Sequence, residues 1–343
     1  MKRYLGVDLH KDNFTVCYLD SEDNKIFKEY KLTSLNRFKK TLNPEDEIAV
    51  EAIANSRIFC EELVTIVEKV VLVAPGNFKI ISSSSKKTDK RDAETLAEFL
   101  MMGKLPEARI MNKQQAYIKS ILKTREKFVK QRTQCKNKIH NILIGNGVFV
   151  YPKKPFTKKG FEFLKNLRCD PLVKKEIELL VKHIIYLDES ISEIENELKK
   201  EENQLPQHKN LISIKGIGDV TAAIFTSGIG NIDDFEDKKN LNSYFGMIPS
   251  VRQSNNTIHY GRITKKGNRM VRAALVQCTL GMISHNPILK EFYQRIKRQK
   301  GSGKAIIATA RKLLEFIYFT LSNNIVWEDS NAGVIQSMSN SSV

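Results

Sequence analysis

The first hundred residues switch repeatedly between two hydrophobic periods. Apolar runs of strand length fall near residues 3–9, 13–19, 25–31, 47–51 and 70–74, with helical spacing near 34–42, 57–68 and 89–102. Three strands, a helix, a strand, a helix, a strand and a helix predict a mixed sheet covered by helices over residues 1–105. From 106 to 205 the pattern is helical, interrupted between Gly145 and Pro155 by glycine, proline and lysine. Ile177, Leu180, Ile184, Leu187, Ile191, Ile194 and Leu198 step alternately by three and four, which is a heptad seam of coiled-coil type. Ile118, Ile121, Phe128, Cys135, Ile139 and Ile142 repeat the spacing less cleanly, with Arg125 and Arg132 on seam positions. Either a helical hairpin within one chain or a coiled coil between copies satisfies this seam. Seam arginines need acids, and Asp188, Glu189 and Glu193 are the candidates. Residues 206–325 read as mainly α, and the Ser- and Asn-rich stretch 326–343 as a disordered tail.

The strand order of the first segment is that of an RNase H-like α/β fold, and it carries four acids to the ends of its elements. Asp8 lies near the end of the first strand, and Glu51 directly follows Ile48-Ala-Val50. Asp89 and Asp92, three apart at a helix start, share one face. The serine run Ser82 to Ser85 predicts a mobile loop before them. Taken singly, each acid is as readily a solvated side chain, or for Asp89 a helix cap. Taken together they repel one another and call for a cation. Hard oxygen ligands from separate elements suit Mg²⁺ or Mn²⁺, which activate an attacking oxygen and stabilise the leaving one in phosphoryl transfer.

Charge sharpens this picture. The 343 residues carry a net charge of +17, which implies a polyanionic partner. From Met247 to Lys312 there are fourteen Lys and Arg against one acid, Glu291, and from Lys113 to Lys138 nine against one, Glu126. Such stripes are the footprint of phosphate contacts. Five scattered cysteines without a Cys-x-x-Cys pair indicate neither a zinc site nor a disulfide framework, as expected in a reducing cytoplasm. No apolar run is long enough to cross a bilayer.

Leu211-Ile-Ser-Ile-Lys-Gly-Ile-Gly-Asp-Val-Thr-Ala-Ala223 reads as a helix-hairpin-helix-like segment. Amides at Gly216 and Gly218 can hold a DNA phosphate, although the same turn is a common packing device and Asp219 adds a negative charge there. Gly301-Ser-Gly-Lys304 lacks the rest of a P-loop and reads as a basic linker before an apolar helix, Ile306 to Leu321. The segment from Tyr244 to Arg269 completes a set: Gly-Val-Asp8, Glu51-Ala, Lys-Thr-Asp89-x-x-Asp92, Gly216-Ile-Gly218, Gly246-x-x-Pro249, Ser254 and Gly-Arg-Ile-Thr-Lys-Lys-Gly-Asn268. In this order the chain resembles the DEDD transposases of bridge-RNA-guided insertion sequences, over almost its whole length. The resemblance implies a RuvC-like N-terminal domain whose acids Asp8, Glu51, Asp89 and Asp92 bind metal, and a C-terminal transposase domain whose Ser254 attacks DNA. It further implies a non-coding guide RNA that pairs with donor and target DNA, and subunits that share an active site in a homo-oligomer. Two positions depart from the family pattern: Asn255 follows the serine where glycine is usual, and Ile53-Ala54 stands where Thr-Gly is frequent. Asparagine tolerates a left-handed backbone best after glycine, which preserves the turn.

A serine ester with a DNA phosphate conserves the energy of the broken phosphodiester, so strands rejoin without ATP. Ser254 needs help to lose its proton, and Arg252, Arg262 and Lys265 can stabilise charge on the phosphorane. Lys266, Arg269 and Arg272 continue the basic stripe. Tyr260 is the rival nucleophile and His259 a candidate proton acceptor, both equally suited to surface or packing roles. The expected function is transposition by metal-dependent cleavage and rejoining of DNA. The alternatives are a junction-resolving nuclease using water, and a catalytically inactive nucleic-acid-binding remnant. A sugar-kinase-like fold also opens on a Gly-x-Asp strand, but a second phosphate loop is lacking.

Overall fold

The computed structural model describes residues 2–74, 78, 88–149, 152–202, 205–254 and 257–327. The expectations for Ser82 to Ser85, for Asn255 and for residues 328–343 lie outside them. The chain divides into two compact units, Met1–Asn112 and Lys113–Val343.

The first unit is built on a six-stranded sheet: β1 (Arg3–Leu9), β2 (Asn13–Asp20), β3 (Lys25–Lys31), β4 (Glu47–Glu51), β5 (Lys69–Val73) and β6 (Glu107–Ala108), in the order β3-β2-β1-β4-β5-β6. β1 to β3 form an antiparallel meander, β1, β4 and β5 run parallel, and β6 closes the edge antiparallel to β5. One face of the sheet packs Leu5, Val7, Phe14, Val16, Ile48 and Val50 against Phe38 of α1 (Leu35–Lys39) and Phe59 of α2 (Ser56–Glu61). The other face is covered by α3 (Asp89–Met101), whose Leu96 and Leu100 meet Ala49, Val71 and Val73. Period-2 strands therefore sit between two helical layers. The expected first helix, 34–42, shortens to α1 after a single 3-10 turn, and the expected second, 57–68, ends at Glu61 and continues as turns. Leu63 and Val67 are buried there without a helix, which is why their spacing looked helical.

Gly6 lets α3 lie on β1. A Cβ at Gly6 would stand 1.9 Å from the Ala93 carbonyl oxygen and 2.5 Å from the Ala97 nitrogen. Ala93 and Ala97 are themselves fully buried, so small residues on both elements permit this backbone approach.

The second unit begins with α4 (Lys113–Gly145), followed by α5 (Lys158–Asn166) and α6 (Pro171–Glu202). α4 and α6 form a hairpin within the chain. Arg125 pairs with Glu195, Arg132 with Asp188 and Lys138 with Glu176, so rising numbers on one helix meet falling numbers on the other. The seam faces inward: Ile177, Ile184, Leu187, Ile191 and Leu198 are buried. Asp188 was among the expected partners, but Arg125 takes Glu195 rather than Glu189 or Glu193. At least four of the nine cations between Lys113 and Lys138 are held by carboxylates, since Lys130 also pairs with Glu126. That stripe is less available to phosphate than its count suggested.

After α7 (Pro206–Ser213) and α8 (Asp219–Ile229) come α9 (Lys238–Tyr244), the antiparallel hairpin β7 (Pro249–Ser254) and β8 (Thr257–Ile263), then α10 (Arg269–Met282), α11 (Pro287–Lys300) and α12 (Ser302–Ser322). Their core gathers Leu211, Phe225, Phe245, Leu275, Leu313 and Phe316. Ile118, Leu122 and Leu198 share a cluster with Ala223, so the long helices pack with the helices that follow. The expected linker at 301–304 shrinks to Gly301, φ +80°, because α12 starts at Ser302. Trp327 is buried and stacks on Phe316 at 4.7 Å, so the packed chain continues into the stretch expected to be tail.

Candidate active site

In the first unit, three elements bring the expected acids together. Val7 pairs with Val50 in the parallel register of β1 and β4, so Asp8 and Glu51 leave adjacent strands at the same carboxyl end. Ligands of α/β sheets bind at such ends. Asp8 shares the Gly6 face of β1, and Glu51 the Ala49 face of β4, which is the side that α3 covers. On α3 the buried stripe of Asp92, Ala93, Leu96, Ala97 and Leu100 continues one turn outward to Asp89. Thr88, not Asp89, caps the helix by accepting from the Arg91 amide, which leaves the Asp89 carboxylate to face the strand ends. Both carboxylates lie in the first turn, where the helix dipole favours negative charge.

Electrostatics link the set. Burial pushes the Asp8 carboxyl up to about 6, His10 pulls it back, and the charges of Asp89, Asp92 and Glu51 each raise it further. Asp8 and Asp92 are both 5 % exposed. Carboxylates crowded into a half-buried corner are the donor set of a hard divalent cation.

His10 was not among the expected site residues. Its Nε2 lies 3.2 Å from Asp8 Oδ2 and 3.4 Å from Asp89 Oδ2. The signal was present: residues two apart at a strand end share a face, so Asp8-x-His10 aims both side chains the same way.

Ser254 and the basic stripe belong to the second unit. Ser254 is the last residue of β7, exposed and opposite Thr257. Arg252 faces His259 across the same ribbon. Strand alternation puts Arg252 and His259 on the Ser254 face, and Val251 and Tyr260 on the opposite one. The geometry thus separates Tyr260 from Ser254. A bulge falls between Pro249 and Val251. Arg262, Lys265, Lys266 and Arg269 are exposed.

Arg272 is placed differently. Its Nη1 donates to the carbonyls of Phe245, Lys266 and Gly267 at 3.1, 2.8 and 3.0 Å, fastening the loop beneath the hairpin. Gly246 and Gly267, at φ +64° and +79°, permit the same fold: a Cβ on Gly267 would stand 2.1 Å from the Tyr244 carbonyl oxygen. Arg272→Ala is therefore expected to lower stability by about 1–3 kcal/mol in urea titrations, since three carbonyls lose one charged donor. It should leave the salt dependence of DNA binding unchanged, whereas Lys266→Ala should reduce the slope by about one.

At the Gly216-Ile-Gly218 turn, Gly216 has φ +104° and packs where a Cβ would strike Met282. Gly218 caps α8, and a Cβ there would meet open space. The Asp219 carboxylate beside it lies 3.5 Å from Lys199 Nζ and 3.2 Å from His208 Nε2. Lys199 thus matches its charge within the fold.

Two family models match the chain: the DEDD transposase model over residues 5–146, which includes all four acids, and the transposase IS116/IS110/IS902 family over 208–294, which includes Ser254. Curated relatives match along almost the whole chain. The transposase for insertion sequence element IS1111A of Coxiella burnetii is 24 % identical, covering 93 % of this chain and 89 % of its own. That for IS1328 of Yersinia enterocolitica is 23 % identical, covering 87 % and 86 %. The pilin gene-inverting protein of Moraxella bovis is 24 % identical, covering 94 % and 97 %. The chain belongs to the IS110 family of DEDD transposases.

Proposed function

We propose that this protein is a site-specific DNA recombinase of an insertion sequence, in which Asp8, Glu51, Asp89 and Asp92 hold Mg²⁺ or Mn²⁺ and Ser254 is the nucleophile. The observation that carries the reading is the convergence of four carboxylates from β1, β4 and α3 at one strand end, where Glu51, Asp89 and Asp92 raise the proton affinity of Asp8. The meander followed by parallel strands, covered by helices on both faces, supports an RNase H-like fold of RuvC type for this unit. The α4 and α6 hairpin supports a coiled-coil arm. Bound at the acids, a divalent cation supplies charge stabilisation to the phosphate oxygens and lowers the proton affinity of an attacking hydroxyl.

The chain's own residues then do the following. Ser254 Oγ attacks phosphorus; the Oγ–P bond forms, the bond to one deoxyribose oxygen breaks, and that oxygen leaves with a proton. Attack by a deoxyribose hydroxyl of another strand reverses the step and frees the serine, so the phosphodiester count is conserved without ATP. Arg252, on the Ser254 face, is placed to neutralise the pentavalent phosphate, while Arg262, Lys265, Lys266 and Arg269 hold the backbone. Gly216 and Gly218 offer amides to a further phosphate. The acids and Ser254 lie in different units, which suits a homo-oligomer whose subunits share the reaction. Sequence choice falls to a guide RNA held by shape and phosphate along the basic arms. No described helix is long and apolar enough to cross a membrane, and the reaction belongs in the cytoplasm with the DNA.

Cleavage of labelled element-junction DNA tests the reading, with guide RNA transcribed from the element's flanks. Activity is expected in Mg²⁺, absent in EDTA and absent in Glu51→Gln. Full cleavage by Ser254→Ala would assign the attack to water and make the protein a junction-resolving nuclease. Binding without any cleavage under all conditions would make it an inactive remnant.

A further inference from the structure

We infer that His10 is a nitrogen ligand in the acid site and biases the site toward Mn²⁺ over Mg²⁺. The inference rests on the metal reading above and adds a residue that no motif contains.

Spacing is the first argument. Ligand atoms about 2.1 Å from one ion in an octahedral shell stand about 3 Å apart on adjacent vertices. His10 Nε2 lies 3.2 Å from Asp8 Oδ2 and 3.4 Å from Asp89 Oδ2, and the three ligand atoms all fall within 4.8 Å of one another. One cation can therefore sit within reach of all three. The three come from separate places: a buried strand end, the turn that follows it and the first turn of α3.

Fixation is the second argument. His10 sits in the turn between β1 and β2 with its backbone held on both sides. Its amide donates to the Asn13 carbonyl at 2.9 Å, and its carbonyl accepts from the Asn55 side-chain amide at 3.1 Å. The half-exposed imidazole thus starts from a backbone fixed across two loops, as residues that present a ligand require.

Chemistry supplies the selectivity. Mg²⁺ strongly prefers oxygen and keeps its waters, whereas imidazole nitrogen suits the later divalent ions, with affinity rising from Mn²⁺ along the series. Exchanging one oxygen ligand for Nε2 favours Mn²⁺. The opposing possibility is that His10 is only an imidazolium counter-charge for the acids, which a bound cation would expel.

Pulsed electron paramagnetic resonance of Mn²⁺ added to the full-length protein separates these cases, alongside calorimetric titration of Mn²⁺ and Mg²⁺ into wild type and His10→Gln. The expected result is ¹⁴N hyperfine coupling from an imidazole in wild type and its loss in His10→Gln. Mn²⁺ affinity should fall on the order of tenfold while Mg²⁺ affinity changes little. Thermal melts check that the variant is folded. Bound Mn²⁺ without nitrogen coupling, or an unchanged Mn²⁺ to Mg²⁺ preference in the variant, overturns the role of His10 and leaves the acid site standing. Failure of the wild type to bind either ion overturns the acid site itself.

Discussion

Asp8→Asn is expected to raise the melting temperature of the metal-free protein at neutral pH while lowering DNA cleavage by about a thousandfold or more. Both effects have one cause. Burial, with Asp89, Asp92 and Glu51 nearby, pushes the Asp8 carboxyl from its ordinary 3.8 up to about 6. The folded chain therefore binds that proton more tightly than the unfolded chain, and ionising Asp8 opposes folding. Its contribution to stability is greatest below about pH 3.8, declines as pH rises through about 6 and stays low above. Asparagine keeps the shape without the charge, so the decline over that window should be shallower in the variant. Melting curves in EDTA from pH 4 to 8 measure this. Added Mg²⁺ should then stabilise the wild type by mass action and leave Asp8→Asn almost unmoved. Equal pH slopes in the two proteins would contradict the account of the crowded carboxylates.

Gly6→Ala should have the second large effect, although no chemistry passes through that residue. The added methyl would meet backbone, at 1.9 Å from the Ala93 carbonyl oxygen and 2.5 Å from the Ala97 nitrogen, and no side-chain rotation relieves it. Either α3 lifts from β1 or the strand bends. Overpacking of this kind costs about 3 kcal/mol or more. Because α3 carries Asp89 and Asp92, its displacement should also abolish metal-induced stabilisation, measured as the Mg²⁺-dependent shift in melting temperature. An alanine variant with wild-type melting and a wild-type metal shift would show that the close approach of helix and strand does not exist.

Much of the first unit was legible because its strands are short apolar runs between two helical layers. β1, β3 and β4 have the expected limits, and β2 and β5 differ from them by one residue. The tiny β6 was not legible, since two residues carry no period. The β7–β8 hairpin was missed for a related reason: nearly all its residues are exposed, so no buried face writes an alternating pattern. Arg125 illustrates another limit. Sequence identified an acid-bearing partner helix, but the offset between antiparallel helices depends on the connection between them, and Glu195 rather than Glu189 or Glu193 meets the guanidinium. Among the candidate site residues, the placement of the acids followed from strand ends and a three-residue helical step. His10 is readable from its two-residue step from Asp8, but a lone histidine after a strand end is as readily a surface side chain. Arg272 looked like one more phosphate contact, because composition cannot distinguish a cation facing solvent from one turned back onto three carbonyls.

The claim at the centre of this account is that Ser254 becomes covalently joined to DNA. Labelled element-junction DNA, incubated with the full-length protein, Mg²⁺ and guide RNA and then run on a denaturing gel, tests it directly. The expected result is a protein-bound labelled species in wild type that disappears in Ser254→Ala and in Asp8→Asn. Cut DNA with no adduct in the wild type, and undiminished cutting by Ser254→Ala, would contradict it.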